Sequence, residues 1–195
     1  MDTATQSAAA AAAAAPVVSP VTRWVIDAVH SEVGFRVRHM MVSWTRGKFD
    51  KFEGTLELDS QDLTKSKVDV KIETASINTN AADRDGHLKS PDFFDAANFP
   101  HMNFVSQKVE QVKGGGLRVL GQLEIRGVKK VVALDVEPLT EAGKDPWGGM
   151  RRGTRAVAKL SRKEFGLNWN AALEMGGVLV GDEVEIHLEI ELVQK

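Results

Sequence analysis

Between Asp83 and Phe104 the chain gathers side chains that do chemistry elsewhere. Arg84, Asp85, His87, Asp92 and His101 are interleaved with Phe93, Phe94, Phe99 and Phe104. Arg84 and His87 are three residues apart, so on a helix they share a face. There they could meet a phosphate or carbonyl head group; the plainer reading pairs Arg84 with Asp85 or Asp92 and uses it to hold the loop. With His39 and Asp85 added, the same residues form the candidate set for acid–base chemistry on a polar head group. Metal chemistry finds less support. The chain has no Cys, no His-x-x-x-His and no His-Glu-x-x-His. Asp83-x-Asp85-Gly86 opens like a calcium loop, but the twelfth position from Asp83 is Phe94, where a bidentate Glu is required. Nucleophile motifs are missing too: there is no Gly-x-Ser-x-Gly, and the adjacent His30-Ser31 reads as local turn bonding. Gly114-Gly115-Gly116 lacks the Lys-Ser/Thr of a phosphate loop and suits a hairpin turn. No catalytic residue, metal or covalent cofactor is expected.

The elements that must position this segment read as strands. Val33, Phe35 and Val37 alternate with polar residues or Gly, and so do Val68, Val70 and Ile72. Leu117 to Ile125 and Arg155 to Leu160 follow the same period, and Val184 to Leu192 shows it most clearly. Gly47–Asp59, Met102–Val112 and Val128–Pro138 are less regular candidates. In the first, the apolar set changes parity between Phe49 and Phe52, which a β-bulge near Lys51 would repair. The glycine run 114–116 and Arg126-Gly127 stand where hairpins should reverse. Residues 74–101 form a long connection with a short helix expected over Asp83–Lys89. Such an insertion in an all-β chain is usually a lid or a binding loop. About eight amphipathic antiparallel strands can hide their dry faces in a sandwich or a closed barrel. With no strong parallel-sheet pattern and no second helical layer, the barrel is preferred, and eight strands leave its interior about wide enough for one small ligand.

Composition bounds the partners. The 195 residues suit one all-β domain, and the net charge of −2, with both signs interspersed, argues against a nucleic-acid partner. No apolar run reaches the length of a membrane-spanning helix. Residues 1–22, with an unbroken alanine run from Ala8 to Ala15, read as a disordered tail, leaving 23–195 as the domain. No Lys or Arg precedes that run, so a cytoplasmic location is expected over a signal peptide that would make the chain periplasmic or secreted. A homodimer is compatible with this composition.

The order of motifs resembles the YceI-like family. The residues that carry the likeness are Trp24-x-Ile26-Asp27-x-x-His30-Ser31-x-Val33-Gly34-Phe35, then Val37-x-His39-Met40-Met41-Val42 and Arg46-Gly47-x-Phe49. They continue through Ser76-Ile77-x-Thr79, Arg84-Asp85-x-His87-Leu88-x-Ser90-x-Asp92-Phe93-Phe94-Asp95 and Phe99-Pro100-x-Met102-x-Phe104. They end with Arg162-x-x-Phe165-Gly166-Leu167-x-Trp169 and Val180-Gly181-Asp182-Glu183-Val184. The resemblance spans about residues 23–193. It implies an extended eight-stranded antiparallel lipocalin-like barrel with an elongated apolar pocket. It also implies a non-enzymatic role in binding, transport or storage of a long isoprenoid or similar amphiphile, such as a polyprenyl phosphate or quinone.

The expected pocket lining is the dry row Phe35, Val37, His39 and Met41, with Phe49 beside it. Leu88, Phe93, Phe94 and Phe99 come from the insertion, Phe104 from the strand candidate after it, and Phe165 and Trp169 from a further long connection over residues 161–181. His39 could equally be a hydrogen-bonded core or rim residue, and the phenylalanines could plug the barrel end as well as line it. Arg84 and His87 are the head-group candidates. Two other readings remain open: an enzyme acting on a lipid head group at the barrel mouth, and an interaction module whose interior is filled by side chains.

Overall fold

The computed structural model describes residues 20–174 and 176–195. Its strands are β1 (Val21–Ile26), β2 (Glu32–His39), β3 (Ser43–Phe49), β4 (Phe52–Asp59), β5 (Lys67–Glu73) and β6 (Ile77–Asn78). They continue with β7 (His101–Gln111), β8 (Leu117–Ile125), β9 (Val128–Val136), β10 (Gly143–Lys144), β11 (Met150–Ser161) and β12 (Val180–Gln194); the helix α1 spans Ala82–Lys89. Every ladder between strands is antiparallel.

The long strand β12 organises the rest. One edge pairs with β2 (Val37 with Val184, Val33 with Leu188) and then with β1 (Ile26 with Leu192). Its other edge pairs with β11 from Ser161–Glu183 to Arg151–Val193. β1 and β2 are thus one stave of the barrel, broken at Asp27–Ser31. β4 pairs with β1 while β3 pairs with β2, so these two are a second broken stave. β5 on β4 and β6 on β3 make a third. With β7, β8, β9, β11 and β12 this gives eight staves, closed by the β11–β12 ladder, and β10 is a short hairpin on β11. The barrel and the helix–loop insertion agree with expectation. So does the parity change near Lys51, although it takes the form of a full break. Asp50 and Lys51 leave the ladder, and Phe49 and Phe52 both pack toward the same core cluster.

Local chemistry explains the turns. Ile125 pairs directly with Val128, so Arg126 and Gly127 form a two-residue turn with φ of 51° and 73°, a conformation that glycine tolerates best. Across β2 and β3, Phe35 faces Gly47, and its Cζ sits 2.4 Å from where a β-carbon on Gly47 would lie. The ring covers the bare backbone, as aromatic residues do opposite strand glycines.

The domain starts earlier than composition suggests. Val21 and Thr22 pair with Asp59 and Leu58 and belong to β1, not to the tail. The rest of the expected tail, residues 1–19, lies outside the described residues. Packing divides into a cluster around Phe165, Phe93, Phe49 and Val33, a second around Trp24, Leu56, Leu58 and Leu192, and a third around Phe104, Val109, Leu117 and Val119. No helix among the described residues is long and apolar enough to cross a membrane.

Candidate ligand cavity

The alternation that builds the strands also builds the site. Side chains two apart point to the same face, so β2 turns Val33, Phe35 and Val37 inward, and β11 turns Ala156, Ala158 and Leu160. β12 adds Val184, Ile186, Leu188, Ile190 and Leu192. Together with β7, β8 and β9 they enclose a cavity of about 280 Å³. Its volume stands at the lower edge of the roughly 300–1,000 Å³ of small-molecule sites. Val180 lines the cavity beyond a register shift, and the regular wall on β12 runs from Val184 to Leu192. At about 3.4 Å per residue and a tilt of roughly 40°, that is a channel of about 20 Å. A filled interior, the condition of the interaction-module reading, is not found.

The insertion closes one end. After α1 the backbone folds back on itself, with Phe93 N–H donating to Ser90 O (3.1 Å) and Phe94 N–H to Leu88 O (3.0 Å). This presents Leu88, Phe93 and Phe94 to the cavity. Phe94 meets Phe49 edge-on at 5.9 Å, and Phe49 meets Phe35 at 5.7 Å, which fastens the lid to β2 and β3. On the other side Phe93 and His87 pack against Trp169 at 5.3 and 4.6 Å.

Of the residues expected on the pocket wall, Phe35, Val37, Phe49, Leu88, Phe93, Phe94, Phe104 and Phe165 are there. Four are not. His39 has the right parity but lies at the end of β2, paired with Val180 and Ser43, and its side chain is not on the cavity wall. Met41 sits in the β2–β3 turn and is 61 % exposed, because the strand has ended before it. Phe99 packs against Gly127, its Cε1 3.0 Å from the β-carbon position, on the β8–β9 turn. Trp169 backs the lid without reaching the cavity.

The two head-group candidates are also held elsewhere. Arg84 Nε donates to Thr79 Oγ1 (2.7 Å) and Nη2 to Thr79 O (2.8 Å). Thr79 in turn donates its N–H and hydroxyl to Asp85 Oδ1 at 2.9 and 2.5 Å. Arg84 thus locks the start of α1, through Thr79 in place of the expected carboxylate. His87 Nε2 lies 2.9 Å from Asp92 Oδ2. None of Arg84, Asp85, His87 and His39, the acid–base candidates, lines the cavity.

The charge that does reach the wall is one that sequence reasoning passed over. Arg162 is the charged residue among the described cavity-lining side chains and is 5 % exposed. Its Nε donates to Gly181 O (2.8 Å), Nη1 to Leu167 O (2.5 Å) and Trp169 O (2.9 Å), and Nη2 to Val180 O (3.3 Å). Burial pushes its pKa below the ordinary value, opposed by the charge of Asp182. The signal was present: Arg162 continues the inward row Ala156, Ala158, Leu160. The other polar wall residues are Thr55, Ser66 and Thr154. Ser66 Oγ accepts Asp59 N–H (3.1 Å) and Thr154 Oγ1 donates to Glu137 O (2.8 Å), so both serve the framework.

A separate cluster lies outside the cavity. Asp27, His30 and Glu191 bring ligand-type atoms within 4.8 Å of one another. Arg151 already occupies it, with Nη1 donating to Asp27 Oδ2 (2.6 Å) and Glu191 Oε1 (2.5 Å) and Nε to Asp145 Oδ2 (2.9 Å). The Arg151 and His30 bonds hold the Asp27 carboxyl well below the usual carboxylate range. The guanidinium supplies the positive charge that a cation would bring, which makes the cluster a brace between β11, β12 and the β1–β2 break.

Comparison with known proteins supports the same architecture. The YceI-like domain matches residues 24–192. Protein YceI of Salmonella newport (strain SL254) is 39 % identical over 166 residues, covering 85 % of this chain and 83 % of that protein. The Campylobacter jejuni YCEI protein superposes with a TM-score of 0.69 at 29 % identity, over 87 % of this chain and 96 % of that one. BcnA of Burkholderia cenocepacia superposes at 0.74 with 23 % identity, over 85 % and 98 %. A polyisoprenoid binding domain from Saccharophagus degradans, implicated in plant cell wall breakdown, superposes at 0.64 with 15 % identity, over 88 % and 98 %. At these last two identities the likeness is one of fold.

Proposed function

The chain belongs to the YceI-like family, and on that premise we propose that it is a non-enzymatic carrier or store for a long-chain isoprenoid or similar amphiphile held inside the barrel. The observation that carries this reading is the cavity wall, apolar along its length with a single charged side chain, Arg162, near the lidded end. Each ligand CH₂ moved from water to such a wall contributes roughly 0.8 kcal/mol. A chain of several isoprene units therefore binds without specific polar contacts, even after ordering costs. Arg162 spends its guanidinium on four backbone carbonyls, so a polyprenyl phosphate or a quinone would draw its affinity from its apolar chain against the wall. The description of the Saccharophagus degradans relative as polyisoprenoid binding supports the ligand class. The alternative, chemistry on a lipid head group, would have to proceed with its candidate residues off the cavity wall.

The test is organic extraction of the purified protein followed by mass spectrometry, paired with exchange against added polyprenol and quinone. One stoichiometric isoprenoid or comparable amphiphile is expected. Protein that carries no lipid and takes up none would overturn the proposal.

A further inference from the structure

The β2–β3 hairpin tip breaks a local rule in a way that packing does not explain. Val42 N–H donates to His39 O (3.0 Å) across Met40 and Met41, whose φ angles are 51° and 59°. A hairpin turn with both central residues at positive φ normally takes Asn-Gly, because a β-carbon is crowded there. Here the positions hold two long apolar side chains, Met40 43 % and Met41 61 % exposed, followed by Val42 at 81 %. On the strands behind the tip, Arg36 and Arg46 stand directly opposite each other in the ladder, where like charges repel. The two positive-φ methionines are strain kept at an exposed position, which points to function.

We propose that this tip docks on the surface of an anionic phospholipid bilayer. Charge complementarity selects that occupant. From Val33 to Phe49 the chain carries Arg36, Arg38, Arg46 and Lys48 and no acidic residue, in a protein of net charge −2. Arg36 is paired with Glu185, and Lys48 with Asp50. Arg38 and Arg46 form no ion pair among the described residues. Trp44 lies under both Arg36 and Arg38, with their guanidinium carbons 4.5 and 4.2 Å from its ring. The order from the tip inward is therefore apolar side chains, then Trp and Arg, the order found across a membrane interface. Cations beside such a tip gain attraction from anionic lipids.

The tip also stands at the end of the barrel that holds Arg162 and Val180. Val37, two residues before His39, lines the cavity, as does Val180, which pairs with His39. Met40 N–H donates to Leu179 O (2.8 Å), next to the exposed Val178. Docking through Met40–Val42 brings that end to the bilayer. The surface stands independently of the ligand proposed above.

The experiment is co-sedimentation of the full chain with vesicles of phosphatidylcholine alone and of phosphatidylcholine with phosphatidylglycerol, at low and high salt. Wild type is expected to bind the anionic vesicles and to release as salt rises. Met40→Asn with Met41→Gly gives the turn its preferred residues, so this variant should melt no lower than wild type while its vesicle affinity falls about tenfold or more. Met41→Ser serves as a milder second variant. Arg38→Gln with Arg46→Gln should lose the preference for anionic over neutral vesicles. Extracted lipid should be unchanged in every variant, which separates failure here from failure of the cavity reading. Wild type that ignores anionic vesicles, or folded variants that bind them as wild type does, would overturn the proposal. So would a tip that binds another protein and no bilayer.

Discussion

Ala158 offers the sharpest test of whether the interior is the ligand's seat. It is 8 % exposed, lies in β11 opposite Ile186, and is among the smallest side chains on the cavity wall. Ala158→Phe adds six ring carbons to a space that is otherwise vacant. If they exclude about five ligand CH₂ groups at roughly 0.8 kcal/mol each, binding weakens by about 4 kcal/mol. That is close to a thousandfold in Kd, at about 1.4 kcal/mol per factor of ten. A ligand that slides along the channel would recover part of this, which leaves a loss of at least about thirtyfold, or roughly 2 kcal/mol. The fold should be spared or strengthened, since a ring placed in an existing void restores contacts that overpacking a dense core would strain. Val157→Phe is the control. Val157 is the next residue along β11 and 47 % exposed, so the same ring there points outward. Displacement of a fluorescent long-chain probe measures affinity, extraction measures bound lipid, and a thermal melt reports the fold. Ala158→Phe with wild-type affinity and an unchanged melt would refute an interior site, whatever lipid the protein carries.

Two further outcomes follow from the buried and braced charges. Arg162→Met removes the donor to Gly181, Leu167, Trp169 and Val180 carbonyls, and at about 1–3 kcal/mol for each buried group left unpaired the variant should lose several kcal/mol in urea unfolding. Arg162→Lys should fall between, because an ammonium cannot reach four acceptors in fixed directions. Asp27→Asn tests the brace through pH. The Asp27 carboxyl is depressed in the fold, so its contribution is present above the unfolded carboxylate pKa and is lost as pH falls through the folded value. Wild type should therefore melt higher than Asp27→Asn at neutral pH, and the gap should close in strong acid, as read from melts across a pH series.

The strands were legible because each has one wet and one dry face, and a period of two survives any tertiary context. Val184 to Leu192 reads as a strand from its residues alone and runs through the middle of β12. The helix of the insertion was legible as well, beginning at Ala82 in place of Asp83. What the pattern could not show was where the barrel wall stops. His39 and Met41 continue the inward parity of Phe35 and Val37, yet parity says nothing about whether another strand lies across the gap. The same blindness hid Arg162. On composition an Arg after Leu160 looks like the end of a dry row; only the fold brings four backbone carbonyls around it.

Arg84 and His87 make the point from the other side. Their spacing put them on one face of a helix, and the helix formed, but which way that face looks depends on how the lid meets β3 and the 168–179 loop. Those contacts are made by Phe94, Phe93 and Trp169, and they leave Arg84 on Thr79 and His87 on Asp92. The stretch from Ala82 to Phe94 covers one end of the barrel because Leu88, Phe93 and Phe94 face the cavity while Arg84, Asp85 and His87 find local partners. Local sequence thus determined the elements and their dry faces, since period and polarity are properties of neighbours along the chain. Which of the inward side chains reach the cavity was decided by tertiary structure, since strand register, lid orientation and the partners of buried donors are set by residues far apart in sequence.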